Sequence, residues 1–277
     1  MITEKTKLSD ALWYVGETAG SEGQLTVIDP GPLFSAADQR GNSLLCTAAD
    51  SVQTGGIAVL RRELPERNRS ILIAGILRNR FFLGRGPVLS GCTEGINESG
   101  LAAVLRPAGH RQVRKCGRND IVPVILDRCS GITEVGAVLE TYPGIADRLK
   151  DSRLFLADRS GRYAEIVFRG EMPEVCPTSA LQSAAGILGK PEGAMSRTHA
   201  GDLLQAIPVP DGAVRQIRIY DCTDISVLVY SAGESYEFSP LRQDPKQISG
   251  RVFRPASRIV RDAAGAGYRN TYEKDLN

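Results

Sequence analysis

From Leu44 to Leu105 the sequence runs as short apolar stretches broken by Gly, Pro or charged turns. The pattern reads as strands at 44–49, 55–62, 70–76, 87–92 and 101–106. Strands that follow one another this closely pair through hairpins, because a parallel pair needs a long crossover. A helical block comes next. Asn119-Asp120 caps the apolar series Ile121, Val124, Ile125 and Leu126, and Thr133 caps Val135–Leu139, with a stop at Tyr142-Pro143-Gly144. Strands return at Leu154–Ala157 and Tyr163–Phe168 across the turn Asp158-Arg159-Ser160-Gly161. Hairpins, then helices, then hairpins predict antiparallel sheets with helices packed outside; the missing βαβ alternation argues against a parallel sheet.

Ahead of Leu44 the reading is mixed. A short helix covers Leu8–Val15 with Ser9 or Asp10 near its N-cap, a strand covers Gln24–Ile28, and a loop runs from Pro32 through Asp38–Ser43. Beyond the second hairpin, 170–195 is a looser stretch rich in Ala, Gly, Pro and Ser. A short helix then covers 197–206, and Val214–Tyr220 pairs with Ile225–Tyr230. After Pro240 the tail is polar and basic, and either docks as an arm or frays. No repeat, heptad or strong linker divides the chain.

Composition excludes several function classes. A net charge of +2 over 277 residues gives no electrostatic argument for nucleic acid or a membrane surface. Only two histidines, His110 and His199, are present, which disfavours a multi-histidine metal site or a Ser-His-Asp triad. The six cysteines are scattered and never form Cys-x-x-Cys, the first residues are polar, and no apolar run is long enough to span a bilayer. The expected setting is the cytoplasm with reduced thiols, most of them buried as small hydrophobes.

Two motifs carry chemistry. Cys46 stands at the head of a strand in Leu44-Leu45-Cys46-Thr47, with Arg62 just past the run that follows it. Gly95-Ile96-Asn97-Glu98-Ser99-Gly100-Leu101 reads as a strand end, a polar turn and a new strand. Cys46, Arg62 and Asn97 therefore form a candidate nucleophile site. Against it stand blander readings: Cys46 as a buried thiol, Arg62 with Arg61 as a solvated pair, and Asn97-Glu98 as a turn. Cys92 in Ser90-Gly91-Cys92-Thr93 is a rival nucleophile. Arg78, Arg80 and Arg85 read as a wet face, His199 as a cap-region residue and His110 as loop. Gly84-Arg85-Gly86-Pro87 lacks the Lys-Ser/Thr of a phosphate loop.

The order of these motifs resembles the penicillin acyltransferase-like and choloylglycine hydrolase-like group of N-terminal nucleophile hydrolases. Cys46-Thr47 is similar to the family's nucleophile start, Arg62 to the arginine of its Gly-Arg-Asn-x-Asp motif, and Gly95–Leu101 to its Gly-x-Asn-Glu-x-Gly-Leu signature. Val122–Glu134 resembles the helix pair that follows, Leu156–Gly161 a later hairpin, and Val227–Gly233 the terminal strand. Three positions depart from the pattern. Cys46 follows Leu45 and not the Gly often found there. No acid falls at Leu64 or Pro65 where the family has aspartate, and its oxyanion asparagine falls at Pro177-Thr178-Ser179.

The resemblance implies a four-layer αββα sandwich of two antiparallel sheets over 46–240, with 1–45 as a propeptide and 241–277 as a tail. It also implies amide C–N hydrolysis or acyl transfer without metal or cofactor. The substrate is a small-molecule amide or acyl donor, and self-association stays open. Self-cleavage before Cys46 would give the thiol its own base: a free α-amine titrates at roughly 7.7–8.0 against roughly 8.5 for a thiol. Asn97, or a backbone N–H nearby, is then the oxyanion donor, Arg62 holds a carboxylate or keeps Cys46 anionic, and Thr178 and Ser179 are weaker substrate-side donors. The runner-up is a non-catalytic member that binds a small molecule or assembles with partners, supported by the unmatched aspartate and asparagine positions.

Overall fold

Apolar side chains occupy both faces of the central strands, and that is what stacks this chain in layers. The computed structural model describes residues 11–15, 27–29, 32–38, 40–51, 57–74, 92–107, 121–142, 144–145, 149, 152–168, 173–178, 194–209, 214–231 and 233–248. The strands are β1 (Ala11–Val15), β2 (Val27–Asp29), β3 (Leu33–Ala37), β4 (Ser43–Ser51), β5 (Ile57–Arg62), β6 (Ser70–Ala74), β7 (Cys92–Asn97) and β8 (Ala102–Pro107). They continue as β9 (Ser152–Ala157), β10 (Tyr163–Phe168), β11 (Pro173–Thr178), β12 (Val214–Asp221), β13 (Ser226–Ser231), β14 (Glu234–Phe238) and β15 (Lys246–Gln247). The helices are α1 (Ile121–Arg128), α2 (Ile132–Glu140) and α3 (Arg197–Ala206).

Eight strands form sheet A in the order β1-β5-β6-β7-β8-β9-β10-β11. Sheet B has seven, in the order β15-β14-β13-β12-β4-β2, with β3 also paired to β4. Every ladder between these strands is antiparallel. Leu45, Ile71, Ile73, Ile96, Val104, Phe155, Tyr220 and Val227 fill the space between the sheets. Ile125, Leu126, Val135 and Leu139 of α1 and α2 cover the other face of sheet A, against Leu72, Ala103 and Leu156. Ala200, Leu203 and Leu204 of α3 cover the other face of sheet B, against Leu44, Cys46, Ala48 and Ile219. The expected four-layer αββα sandwich is the observed architecture.

Several local expectations are corrected. Leu8–Val15 does not form a helix over its described part: Ala11–Val15 is an edge strand paired with Ile57–Arg61. The loop expected after Pro32 contains β3, paired with Ser43–Thr47. Pro173–Thr178 in the looser stretch is the edge strand β11, where two prolines are tolerated because one side of the strand needs no partner. The strand expected at 87–92 begins at Cys92, and 87–91 and the Asn119-Asp120 cap lie outside the described residues. Part of the tail docks, as β15 on β14. The segment 1–45 supplies β1 to sheet A and β2, β3 and the start of β4 to sheet B.

Thr133 does not cap α2. The helix follows Gly131, which has no side chain to offer, and Asp158 Oδ2 from the β9–β10 turn accepts the Ile132 N–H at 3.2 Å. The same carboxylate accepts from Ser160 N–H at 3.0 Å and the Ser160 hydroxyl at 2.5 Å, and pairs with Arg162 at 2.9 Å. Burial by itself raises the Asp158 pKa, but the hydrogen bonds from Ser160, Ile132 and Arg162 and the Arg162 charge outweigh it and hold the carboxyl below its ordinary value. A lowered folded value means that this stabilisation is complete above the unfolded carboxyl pKa and is lost as pH falls through the folded one. Asp158→Asn is expected to cost about 1 kcal/mol at neutral pH. In urea unfolding measured against pH, the gap to wild type should close in acid; a gap independent of pH would contradict the assignment.

Candidate functional site

Cys46 lies inside β4, with Phe34 of β3 as its partner on one side and Ile219 of β12 on the other. Strand alternation sends Leu45 and Thr47 between the sheets and Leu44, Cys46 and Ala48 toward α3. The thiol is fully buried (0% exposed) among Phe34, Met195, Leu203 and Leu204. Burial, then the nearby Cys222 and Asp221, push its pKa far above the ordinary thiol range. A thiolate is the nucleophile, and this environment suppresses it. In the native uncut protein Cys46 is therefore expected to resist iodoacetamide and to react only after unfolding. Peptide mass mapping checks this, and labelling of Cys46 in the folded chain would contradict it.

Arg62 and Asn97 sit elsewhere. On β5, Ile57 and Val59 face the inter-sheet core, while Leu60 and Arg62 face the helices of sheet A. Arg62 pairs with Asp127 of α1 at 3.3 Å. Asn97 ends β7, completely buried, and its Nδ2 donates to Leu126 O at 2.9 Å and Cys129 O at 2.7 Å at the end of α1. Its Oδ1 accepts from Ser99 N–H at 3.1 Å and Leu101 N–H at 3.0 Å. Both donors and the acceptor are thus committed, and Asn68 Nδ2 reaches the same two carbonyls at 3.3 and 3.0 Å. Arg62 and Asn97 come together at the end of α1, while Cys46 lies on the far side of the sandwich, beyond both sheets. Stacked sheets stand about 10 Å apart. The expected Cys46–Arg62–Asn97 constellation is not assembled in this chain, and Asn97 is no free oxyanion donor: it ties a turn to a helix end.

Thr178 ends the edge strand β11 opposite Tyr163, and Ser179 lies outside the described residues. Cys92 is buried under α1 and α2. His199 is in the first turn of α3, where its N–H donates to the Ser196 capping hydroxyl at 3.1 Å. His110, Arg78, Arg80 and Arg85 lie outside the described residues. Among the described residues no disulfide forms and no cluster of His, Cys, Asp and Glu could hold a metal, and no helix is long and apolar enough to cross a membrane.

A polar cluster between the sheets was not singled out by sequence reasoning. Glu94 of β7 accepts from the Tyr220 hydroxyl at 3.0 Å and lies 3.4 Å from Arg218 Nε, both on β12. Arg106 of β8 donates to the Thr47 hydroxyl and to Ala48 O of β4. The one available signal was alternation: Gln216, Arg218 and Tyr220 interleave with Ile217 and Ile219. Such a pattern ordinarily reads as one wet face.

No family model matches the sequence, and no curated protein matches it. Among solved structures, the chain is similar to a mutant of the conjugated bile acid hydrolase from Clostridium perfringens, at 9% identity and TM-score 0.45 over 80% of this chain and 98% of that one. It is similar to penicillin V acylase from Agrobacterium tumefaciens at 12% identity and TM-score 0.41, over 83% and 96%. A second variant of the Clostridium perfringens hydrolase follows at 8% identity and TM-score 0.34, over 88% and 95%.

Proposed function

We propose that this chain is the uncut, latent form of an N-terminal nucleophile amide hydrolase or acyltransferase, with Cys46 as the nucleophile once the Leu45–Cys46 bond is broken. The observation that carries the reading is the placement of Cys46 in β4. One flank of that strand, at Cys46 itself, is β3, which belongs to the segment ahead of the break. A break there makes Cys46 the first residue of its strand, and departure of the preceding segment removes Phe34 from its side. The new α-amine then takes the thiol proton as the sulfur attacks an amide carbonyl. The C–N bond breaks, the α-ammonium returns the proton to the leaving amine, and a thioester remains. Water resolves the thioester to an acid, or a second amine resolves it to a new amide. In this reading Arg62 and Asn97 position α1 and the β7–β8 turn and do not touch substrate.

The burial of the thiol and the full commitment of Asn97 favour a second reading, a non-catalytic member of the same fold that binds a small molecule or assembles with partners. Intact-mass measurement of wild type and Cys46→Ala separates the two. Fragments ending at Leu45 and starting at Cys46, formed only with the thiol present, support the enzyme. An uncut wild-type chain with an inert thiol supports the binder.

A further inference from the structure

Helix α3 covers the face of sheet B that carries the Cys46 thiol. Met195 just ahead of it, and Ala200, Leu203 and Leu204 on its inner face, pack with Cys46, Leu44 and Ile219. The helix is weak by itself. It has 10 residues with Gly201 at its middle, and its first turn holds Arg197 and no acid. Its two ends are held differently. At the C-terminal end the buried Arg215 donates to Leu204 O at 2.7 Å and Ile207 O at 2.8 Å while paired with Asp50 at 2.6 Å. At the N-terminal end the Arg197 side chain is 35% exposed, and its ties are longer: Nη1 to Ser226 Oγ at 3.2 Å and Glu237 Oε1 at 3.4 Å, Nε to Asp221 Oδ2 at 3.8 Å. Ser196, Thr198 and His199 around it are exposed, whereas Ala200 to Leu204 are buried. One further tie runs from Met195 N–H to Ala37 O of β3 at 2.8 Å.

We infer that α3 is a lid over the Cys46 thiol, hinged at Arg215 and latched by Arg197 on Asp221, Glu237 and Ser226. The N-terminal end gives way first, because its ties are the longer and more exposed ones and are screened by solvent. Lifting that end draws Met195 and Ala200 away and lets water reach the sulfur, which removes the burial that suppresses its thiolate. In the processed enzyme proposed above, the departing segment carries off Phe34 and the Ala37 carbonyl, so α3 is the cover that remains and has lost one tie. The lid itself stands on contacts of the uncut chain and does not require the break.

Thiol labelling below the unfolding transition tests the lid. Wild type, Arg197→Gln and Gly161→Ala are held in sub-denaturing urea with iodoacetamide, and peptide mapping reads Cys46 and Cys222, each relative to its rate in the unfolded chain. Without urea the latch keeps Cys46 of the uncut chain unlabelled. In urea, wild-type Cys46 should label faster than Cys222, which is buried between the sheets and meets solvent only when they part. Arg197→Gln should speed Cys46 at least about tenfold, since hydrogen bonds to a charged group are lost. Gly161→Ala strains a turn that touches none of the lid's ties, with φ +81° and nothing within 4 Å of the added atom. It should speed Cys222 and leave Cys46 unchanged. Equal wild-type rates at the two thiols, an equal acceleration of both by Gly161→Ala, or no effect of Arg197→Gln would overturn the lid. Should Arg197→Gln not fold, wild type and Gly161→Ala still decide. Intact mass reads cleavage before Cys46 separately, so the lid and the processing can fail independently.

Discussion

Arg215→Met is expected to destabilise the folded chain by about 3–5 kcal/mol. For a domain of this size that is a fall in Tm of roughly 10 °C. Arg215 and Asp50 are each 4% exposed and meet in a bidentate pair, Nε to Oδ1 and Nη2 to Oδ2, both at 2.6 Å. The same guanidinium donates to Leu204 O at 2.7 Å in the last turn of α3, to Ile207 O at 2.8 Å at its cap and to Pro208 O at 3.1 Å just beyond it. Methionine fills much of the volume but leaves a carboxylate buried without its partner and three carbonyls bare. The double variant Asp50→Val/Arg215→Met should recover at least about 1 kcal/mol of the loss, because the stranded charge is gone while the carbonyls stay unpaired. Urea unfolding of the three variants measures this. A double variant no better than the single would show that the charge pair is not the cause.

Gly100→Ala is the other large effect, expected at about 3 kcal/mol. Gly100 closes the turn after Asn97 with φ +81°, and its N–H donates to Asn97 O at 3.0 Å. A Cβ there would stand 2.2 Å from Cys222 O, a backbone atom just past β12, and 3.0 Å from Arg159 Cβ. The β7–β8 turn of sheet A thus presses directly on the end of β12 in sheet B, and alanine would force the sheets apart at that point. Gly161→Ala is the control. Its φ is also +81°, but nothing lies within 4 Å of the added atom. It should cost only the backbone strain, about 1–2 kcal/mol. Equal losses at the two positions would mean that the close approach to Cys222 contributes nothing.

The turn chemistry around these glycines was legible in the sequence. Asn97–Gly100 and Asp158–Gly161 both read as turns between strands, and Arg197–Ala206 as a helix starting after Ser196. These succeeded because the signals are local: a side-chain oxygen accepting from nearby N–H groups, a glycine with positive φ, an N-cap hydroxyl. The faces of β4 and β5 were not legible. In a four-layer sandwich each sheet is buried on both sides, so the apolar Leu44, Leu45 and Ala48 around Cys46 do not reveal which way the thiol points. β3 and β11 were hidden for a related reason. Pro32 and the polar Asp38–Ser43 framed one as a loop, and Pro173 and Pro177 disguised the other, though edge pairing tolerates both. Asp158 as the cap of α2 joins residues far apart in sequence, which no local pattern reports.

In the function proposed for this chain, a backbone break before Cys46 converts a shielded thiol into a nucleophile with its own base. Intact-mass measurement on freshly purified wild type and Cys46→Ala tests it most directly. Wild type should give two chains meeting at Leu45 and Cys46, with Cys46→Ala remaining a single uncut chain. Wild type that stays at full length, with Cys46 still inert to iodoacetamide in the folded state, would contradict it.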